Sequence, residues 1–166
     1  MEKRILEQEE KKEGEEVKAL VIDLDGTLSD STHRQHLAKA ALWDEFHELG
    51  KQDKPHEDVQ QLIGLISCAL EDKLEIIICT ARPEKYRQQT LEWLDFWSIP
   101  ISVLLMRPDN DYTHTGELKI RMLEEHFGSK ELIMERVICV LDDRDKVIES
   151  MRNYGLSCWQ VRPSGY

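Results

Sequence analysis

Val21-Ile22-Asp23-Leu24-Asp25-Gly26-Thr27-Leu28 is an apolar run that ends in two carboxylates one residue apart, followed by a glycine. Ala19 to Ile22 reads as a buried parallel strand, and Gly26 lets the backbone turn sharply just past its C-terminal end, the place where sites form in open α/β sheets. Two carboxylates set there can share one hard cation. A second point of this kind lies far downstream, where Val137-Ile138-Cys139-Val140-Leu141 runs into Asp142-Asp143-Arg144-Asp145. Both strands end in acid.

Period counting outward from the first strand gives alternating elements. From Pro55, the residues Val59, Leu62, Ile63, Ile66 and Leu70 fall at helical spacing, and the strand Leu74 to Cys79 follows. Pro83 is placed to open a helix whose inward face is Tyr86, Thr90, Trp93, Leu94 and Trp97, and Pro100 stops it. Ile101 to Met106 is a strand, Glu117 to Phe127 a helix, Arg136 to Leu141 a strand, Asp145 to Tyr154 a helix and Ser157 to Val161 a last short strand. Strand and helix in alternation imply α/β architecture, a doubly wound parallel sheet covered on both faces. Ser31 to Lys54 stands outside the alternation and reads as a small helical cap insertion over the strand ends. Asp145 reads as the cap of the helix that it opens.

The chain has 166 residues, enough for one core, so residues 17–166 are expected to form a single domain preceded by a solvated arm over 1–16, where Glu and Lys alternate. That arm does not resemble a signal peptide, and no apolar run is long enough to span a membrane. The four cysteines, Cys68, Cys79, Cys139 and Cys158, sit in apolar segments without metal-ligand spacing, which points to small buried residues in a reducing, cytoplasmic setting. A net charge of −11 argues against broad adhesion to nucleic acid, although it leaves room for an enzyme that acts on a strand end.

The chemistry collects where the strands end. Besides the two acid clusters, Thr80 follows the second strand with Arg82 two residues on, and Lys119 opens the third helix. Four carboxylates, Asp23, Asp25, Asp142 and Asp143, repel one another unless a divalent cation holds them, and oxygen-only ligands point to Mg²⁺. A hydroxyl, an ammonium and a guanidinium are what a phosphoryl group needs around its oxygens as charge shifts during transfer. The set describes phosphoryl transfer.

In order and each after the expected element, Asp23-Leu24-Asp25-Gly26-Thr27, Thr80, Lys119 and Asp142-Asp143 resemble the four motifs of the haloacid dehalogenase (HAD) superfamily of phosphohydrolases, over Lys18 to about Val161. Ile78-Cys79-Thr80-Ala81-Arg82, Leu105-Met106-Arg107-Pro108, Asp142-Asp143-Arg144 and Cys158-Trp159-Gln160-Val161 narrow the likeness to the phosphatase domain of bacteriophage polynucleotide kinase/phosphatase and its stand-alone relatives. Tyr112 to Glu117 departs from the pattern, since relatives often carry Pro-Asp before the lysine. The resemblance implies that Asp23 attacks phosphorus and Asp25 protonates the leaving oxygen, then activates water. It implies that Thr80 holds a phosphoryl oxygen, that Lys119 neutralises charge on Asp23, and that Asp142 and Asp143 complete an Mg²⁺ site with Asp23 and the Asp25 carbonyl. The task of Asp25 as an acid favours a raised pKa, which nearby negative charge would supply. Arg82 is expected on the substrate phosphate, beside Thr27 of the first motif.

Arg107 has two readings, an ion pair with a nearby aspartate or a contact to substrate. His33, Arg34 and His36 either line the entrance or form an exposed helix face. Trp93 and Trp97, four apart on an amphipathic helix, read as core, as does Trp159, whereas Trp43 beside Phe46 either faces a base or packs the insertion. The expected activity is removal of the 3′-phosphate from polynucleotide or nucleotide ends. The alternatives are a nucleotidase or small-metabolite phosphatase, and a non-catalytic binding module of the same fold. Expected partners are a phosphorylated nucleotide or polynucleotide end, a second copy of the chain, and a separate kinase or ligase. No triphosphate-cradling Gly-rich Lys-Ser/Thr loop is present in the sequence, so any kinase belongs to another protein.

Overall fold

The computed structural model describes residues 17–70 and 73–163; the charged arm expected over residues 1–16 lies outside them. Numbered along the chain, the strands are β1 (Lys18–Ile22), β2 (Ser29–Asp30), β3 (Lys54–Pro55), β4 (Leu74–Pro83), β5 (Val103–Arg107), β6 (Val137–Asp142) and β7 (Cys158–Gln160). Five of them form one parallel sheet in the order β5-β4-β1-β6-β7. The central strands are apolar throughout because both faces are covered. Ala19 and Val21 of β1 point into one core cluster, with Leu118, Met122, Ile133, Val147 and Met151. Leu20 and Ile22 point into the other, with Val59, Ile63, Trp93 and Leu94.

The helices are α1 (Gln35–Lys39), α2 (Trp43–Glu48), α3 (Glu57–Leu70), α4 (Arg87–Phe96), α5 (Thr115–Phe127), α6 (Lys130–Arg136) and α7 (Asp145–Tyr154). The α6 helix has no counterpart in the periodicity, being only seven residues long. It is set off from α5 by Gly128 in the left-handed region and opened by Ser129, whose hydroxyl accepts the Leu132 N–H. Local chemistry moved several boundaries. Pro55 pairs with Ser29 in the small antiparallel β2-β3 ribbon, so α3 starts at Glu57. Pro83 ends β4 instead of opening a helix, and α4 begins only after a 3₁₀ turn over Glu84–Tyr86.

Some burial expectations are corrected. Val59 and Ile63 anchor α3, but Leu70 at its end is exposed, and so is Cys68. Cys79, Cys139 and Cys158 are buried, and all four thiols are free. Trp159 is 61% exposed, because β7 is an edge strand whose alternate residue, Cys158, is the one facing inward. The cap position of α7 is Arg144, without a side-chain capping bond; Asp145 is the first helical residue and accepts from Gln160 Nε2 at 2.5 Å. The segment between β2 and β3 holds α1 and α2 with two 3₁₀ turns and lies over the C-terminal ends of the central strands. Among the described residues, no helix is long and apolar enough to cross a membrane.

Candidate active site

The C-terminal ends of β1, β4 and β6 open into a cavity of about 850 Å³, lined on the sheet side by Asp23, Asp25, Thr80 and Asp143 and on the opposite side by α1 and α2. Asp23 follows β1 directly, and its N–H donates to the Leu141 carbonyl at 2.9 Å, which locks the end of β1 to β6. Asp142 ends β6. Carboxylate oxygens of Asp23, Asp142 and Asp143 lie within 4.8 Å of one another, and all three residues are buried. Lys119 projects from α5 into this cluster, 1% exposed, with Nζ donating to Asp23 and to Asp142 Oδ2 at 2.6 Å.

Gly26 is what allows Asp143 to come so close. Its φ is +95°, and a Cβ there would stand 2.5 Å from Asp143 Oδ2. Three buried carboxylates with only oxygen donors fit a hard divalent cation such as Mg²⁺. Burial, with Asp142 and Asp143 adding to it, pushes the Asp23 carboxyl up to about 8 against the pull of Lys119. Burial also opposes charge on Lys119, but Asp142 and Asp23 hold its ammonium well above the usual lysine range. Added positive charge would favour ionised Asp23. Thr80 is buried at the cavity floor, where its hydroxyl accepts the Arg82 N–H at 3.2 Å.

Asp25 occupies a different environment, which corrects the expectation that its carboxylate joins the metal cluster. Arg82 Nε donates to it at 2.9 and 3.1 Å and Arg82 NH2 at 2.5 Å, while Arg34 NH2 donates from the other side at 2.5 Å. Burial works against its charge, yet the two guanidiniums hold it far below the usual carboxylate range. The raised pKa expected for Asp25 is thus reversed. Both arginines are fully buried, so Arg34 does not line the entrance and Arg82 is committed to protein carboxylates instead of open to substrate.

The second carboxylate of this cluster is Asp53, which the sequence reading missed. It is 1% exposed and accepts from Ser29 Oγ at 3.0 Å, Arg34 Nε at 2.8 Å and Arg82 NH2 at 3.5 Å, with His33 Nε2 at 2.9 Å. His33 therefore belongs to this network. His36 is exposed on α1. Thr27 is fully buried and is not among the cavity-lining side chains, which corrects its assignment to substrate. Nothing in the local sequence separates Asp53 from its charged neighbours; the one cue is Pro55, which marks the chain's turn back to the core.

Among the described residues, Arg107 makes no ion pair with an aspartate. Its Nε donates to the Ala81 carbonyl at 3.1 Å and its NH1 to the Asp111 and Thr113 carbonyls at 2.9 Å each, and it lines the cavity. The expected aromatic pair divides. Phe46 is buried under the Arg34 guanidinium, 4.0 Å from ring centroid to Cζ, whereas Trp43 is 52% exposed and lines the cavity. His47, also missed, packs between Trp43 and Tyr86, and its Nδ1 is buried without a hydrogen-bond partner among the described residues.

Comparison with known proteins matches this arrangement to a family. Residues 17–166 match the family model described as the polynucleotide kinase PNKP phosphatase domain. Among solved structures, one described as the Pnkp1/Rnl/Hen1 complex superposes with a TM-score of 0.72 and 27% identity, over 91% of this chain and 47% of that one. A second, described as the Pnkp1/Rnl/Hen1 RNA repair complex, gives 0.69 and 28%, over 92% and 45%. This chain thus spans less than half the length of either. L-2-haloacid dehalogenase from Xanthobacter autotrophicus shares the fold at 13% identity and a TM-score of 0.59, over 90% of this chain and 79% of that one. With most of its length matched to that one model, the chain belongs to the HAD-type family of polynucleotide kinase PNKP phosphatase domains.

Proposed function

We propose that this phosphatase domain is an Mg²⁺-dependent phosphomonoesterase that removes the 3′-phosphate from polynucleotide or nucleotide ends through an aspartyl-phosphate on Asp23. The observation that carries the reading is the placement of Asp23 on the cavity floor, bonded by Lys119 and grouped with Asp142 and Asp143. Mg²⁺ held by these three carboxylates would neutralise charge that otherwise repels an incoming phosphate. An Asp23 oxygen attacks phosphorus, the P–O3′ bond breaks, and the leaving oxygen takes a proton. Water then attacks the aspartyl-phosphate and releases inorganic phosphate, so that one hard step becomes two. Lys119 balances charge at Asp23, and the Thr80 hydroxyl donates to a phosphoryl oxygen.

Asp25 handles the protons. Arg82 and Arg34 hold it ionised in the free domain, and the negative charge of a bound phosphate would raise its pKa, so that Asp25 can carry the proton given to the leaving oxygen and, once ionised, take one from the attacking water. Trp43 offers the exposed ring of the cavity wall to the terminal base or sugar. The choice of a nucleic acid end rests on the family, and association with a separate kinase or ligase rests on the RNA repair complex among the structural neighbours.

The test is phosphate release from one oligonucleotide carrying a 3′- or a 5′-phosphate, alongside mononucleotides and sugar phosphates, with and without Mg²⁺. The 3′-phosphate end should have the highest kcat/KM. Asp23→Asn should lower turnover by several orders of magnitude with no rescue by excess Mg²⁺. A 5′-nucleotide or sugar phosphate preferred by a wide margin would overturn the substrate assignment, and Mg²⁺ rescue of Asp23→Asn would overturn the nucleophile.

A further inference from the structure

The arginines around the cavity differ in what occupies them. Arg34 and Arg82 are buried and spent on Asp25 and Asp53. Arg107 is half-buried, and the acceptors that fix it are neutral, the carbonyls of Ala81, Asp111 and Thr113, so its charge is oriented but not cancelled by them. Arg144 is exposed, lines the same cavity, and its side chain makes no hydrogen bond or ion pair with any described residue. Its backbone is fixed nonetheless, by donation of its N–H to Asp142 Oδ1 at 3.0 Å.

Arg107 and Arg144 line one cavity, so their like charges act on each other across it. Burial lowers the pKa of Arg107, and Arg121 and Arg144 lower it further; Asp111 opposes this, but its carboxylate is engaged by Arg121. An anion between Arg107 and Arg144 would relieve the repulsion. Depth indicates which anion. The groups proposed to meet the scissile phosphoryl, Asp23 and Thr80, are 6% and 1% exposed at the floor, whereas Arg144 is exposed at the mouth. A cavity of about 850 Å³ has room for much more than one phosphoryl group. On the opposite wall, the ammonium of Lys85 already meets Asp44 at 2.6 Å.

We propose that Arg144, with Arg107 beside it, forms a second anion subsite that takes the internucleotide phosphodiester adjoining the terminal nucleoside. A diester carries one fixed negative charge and two free oxygens, which suits a guanidinium fork. The inference rests on the proposed action at 3′-phosphorylated ends and extends it, making the preferred minimal substrate a dinucleotide.

The experiment compares a dinucleotide 3′-phosphate with the matching nucleoside 3′-monophosphate on the wild type, Arg144→Ala and Arg144→Lys. The wild type should prefer the dinucleotide. Arg144→Ala should cut the ratio of the two kcat/KM values by about tenfold, mainly through KM, the scale of one charge-assisted hydrogen bond, and Arg144→Lys should recover part of it. The salt slope of log KM for the dinucleotide should fall by about 0.7 in Arg144→Ala. An unchanged ratio would overturn the proposal, whether both substrates lose equally or neither does. A parallel measurement separates this from the underlying reading: inhibition of aryl phosphate hydrolysis by the product dinucleoside monophosphate, which carries only the internucleotide phosphate. Weaker inhibition of Arg144→Ala supports the subsite even if 3′-phosphates prove poor substrates, and equal inhibition refutes it even if they prove good ones.

Discussion

Asp53→Asn tests the architecture beneath Asp25. In the wild type two buried guanidiniums, Arg34 and Arg82, face two carboxylates, Asp25 and Asp53. Asparagine keeps the shape of Asp53 but removes one negative charge and turns an amide NH₂ toward a set of donors. A buried ion pair deprived of one partner costs about 3–5 kcal/mol, because the remaining charge stays desolvated. Against a total stability of about 5–15 kcal/mol that is a large share. At about 2–4 °C per kcal/mol for a domain of this size, the midpoint of thermal unfolding should fall by about 6–20 °C. Asp58→Asn supplies the contrast, since its ion pair with Arg162 has partners 63% and 42% exposed and should shift the midpoint by no more than about 4 °C. Both variants would be melted by circular dichroism at pH 7 in the same buffer. If Asp53→Asn melted within about 2 °C of the wild type, the cluster would not depend on the charge of Asp53, and the reasoning would fail.

Mg²⁺ should raise the melting temperature of the wild type by mass action on the folded state, and Gly26→Ala should erase most of that rise, because its Cβ would displace Asp143 and its φ of +95° disfavours any side chain; an undiminished rise in that variant would count against the triad as the cation site. Burial pushes His47 down to about 4 from an ordinary value near 6.5, so in that window the unfolded chain binds a proton that the fold refuses, and the contribution of His47 to stability rises with pH from about 4 to about 6.5, against the opposite contribution of Asp23. Melts across that range should show stability rising less with pH, or falling more, in His47→Leu than in the wild type, and parallel profiles would exclude His47 as a source of the slope. Trp43→Ala should raise KM for nucleotide substrates several-fold more than for an aryl phosphate, and equal losses on the two would assign the ring to packing alone.

How much could be read from the chain depended on the distance over which each residue acts. The sheet and its flanking helices were legible because burial on two faces imposes a local pattern: Leu74 to Cys79 reads as a covered strand from its own residues, and Trp93 with Leu94 marks an inward helix face. The motif carboxylates were legible for the same reason, each lying at the end of such a strand. The partners of Asp25 were not. Arg34 and Arg82 carry no local mark of being buried, and Asp53 lies 29 positions before Arg82, so only closure of the β2-β3 ribbon over the strand ends brings them together. Arg144 was legible as part of a motif, but that its guanidinium has no side-chain partner among the described residues follows only from the structure.

The two carboxylates of the first motif stand two residues apart in opposite electrostatic environments. Asp23 prolongs β1 and meets an ammonium and two acids, so that its ionisation depends on positive charge delivered to the site. Asp25 lies beyond the next residue, just before the bend at Gly26, and meets two guanidiniums that fix its charge. Environments this different would divide the proposed nucleophile from the proposed proton carrier, although both are aspartates. The insertion between β2 and β3 supplies Arg34 and Asp53 to the second environment and Trp43 to the cavity wall, so the segment that walls the cavity also sets the charge state of Asp25. A change that loosened this insertion would therefore alter substrate affinity and the pH dependence of turnover together, whereas a change at Lys119 would act on the Asp23 side.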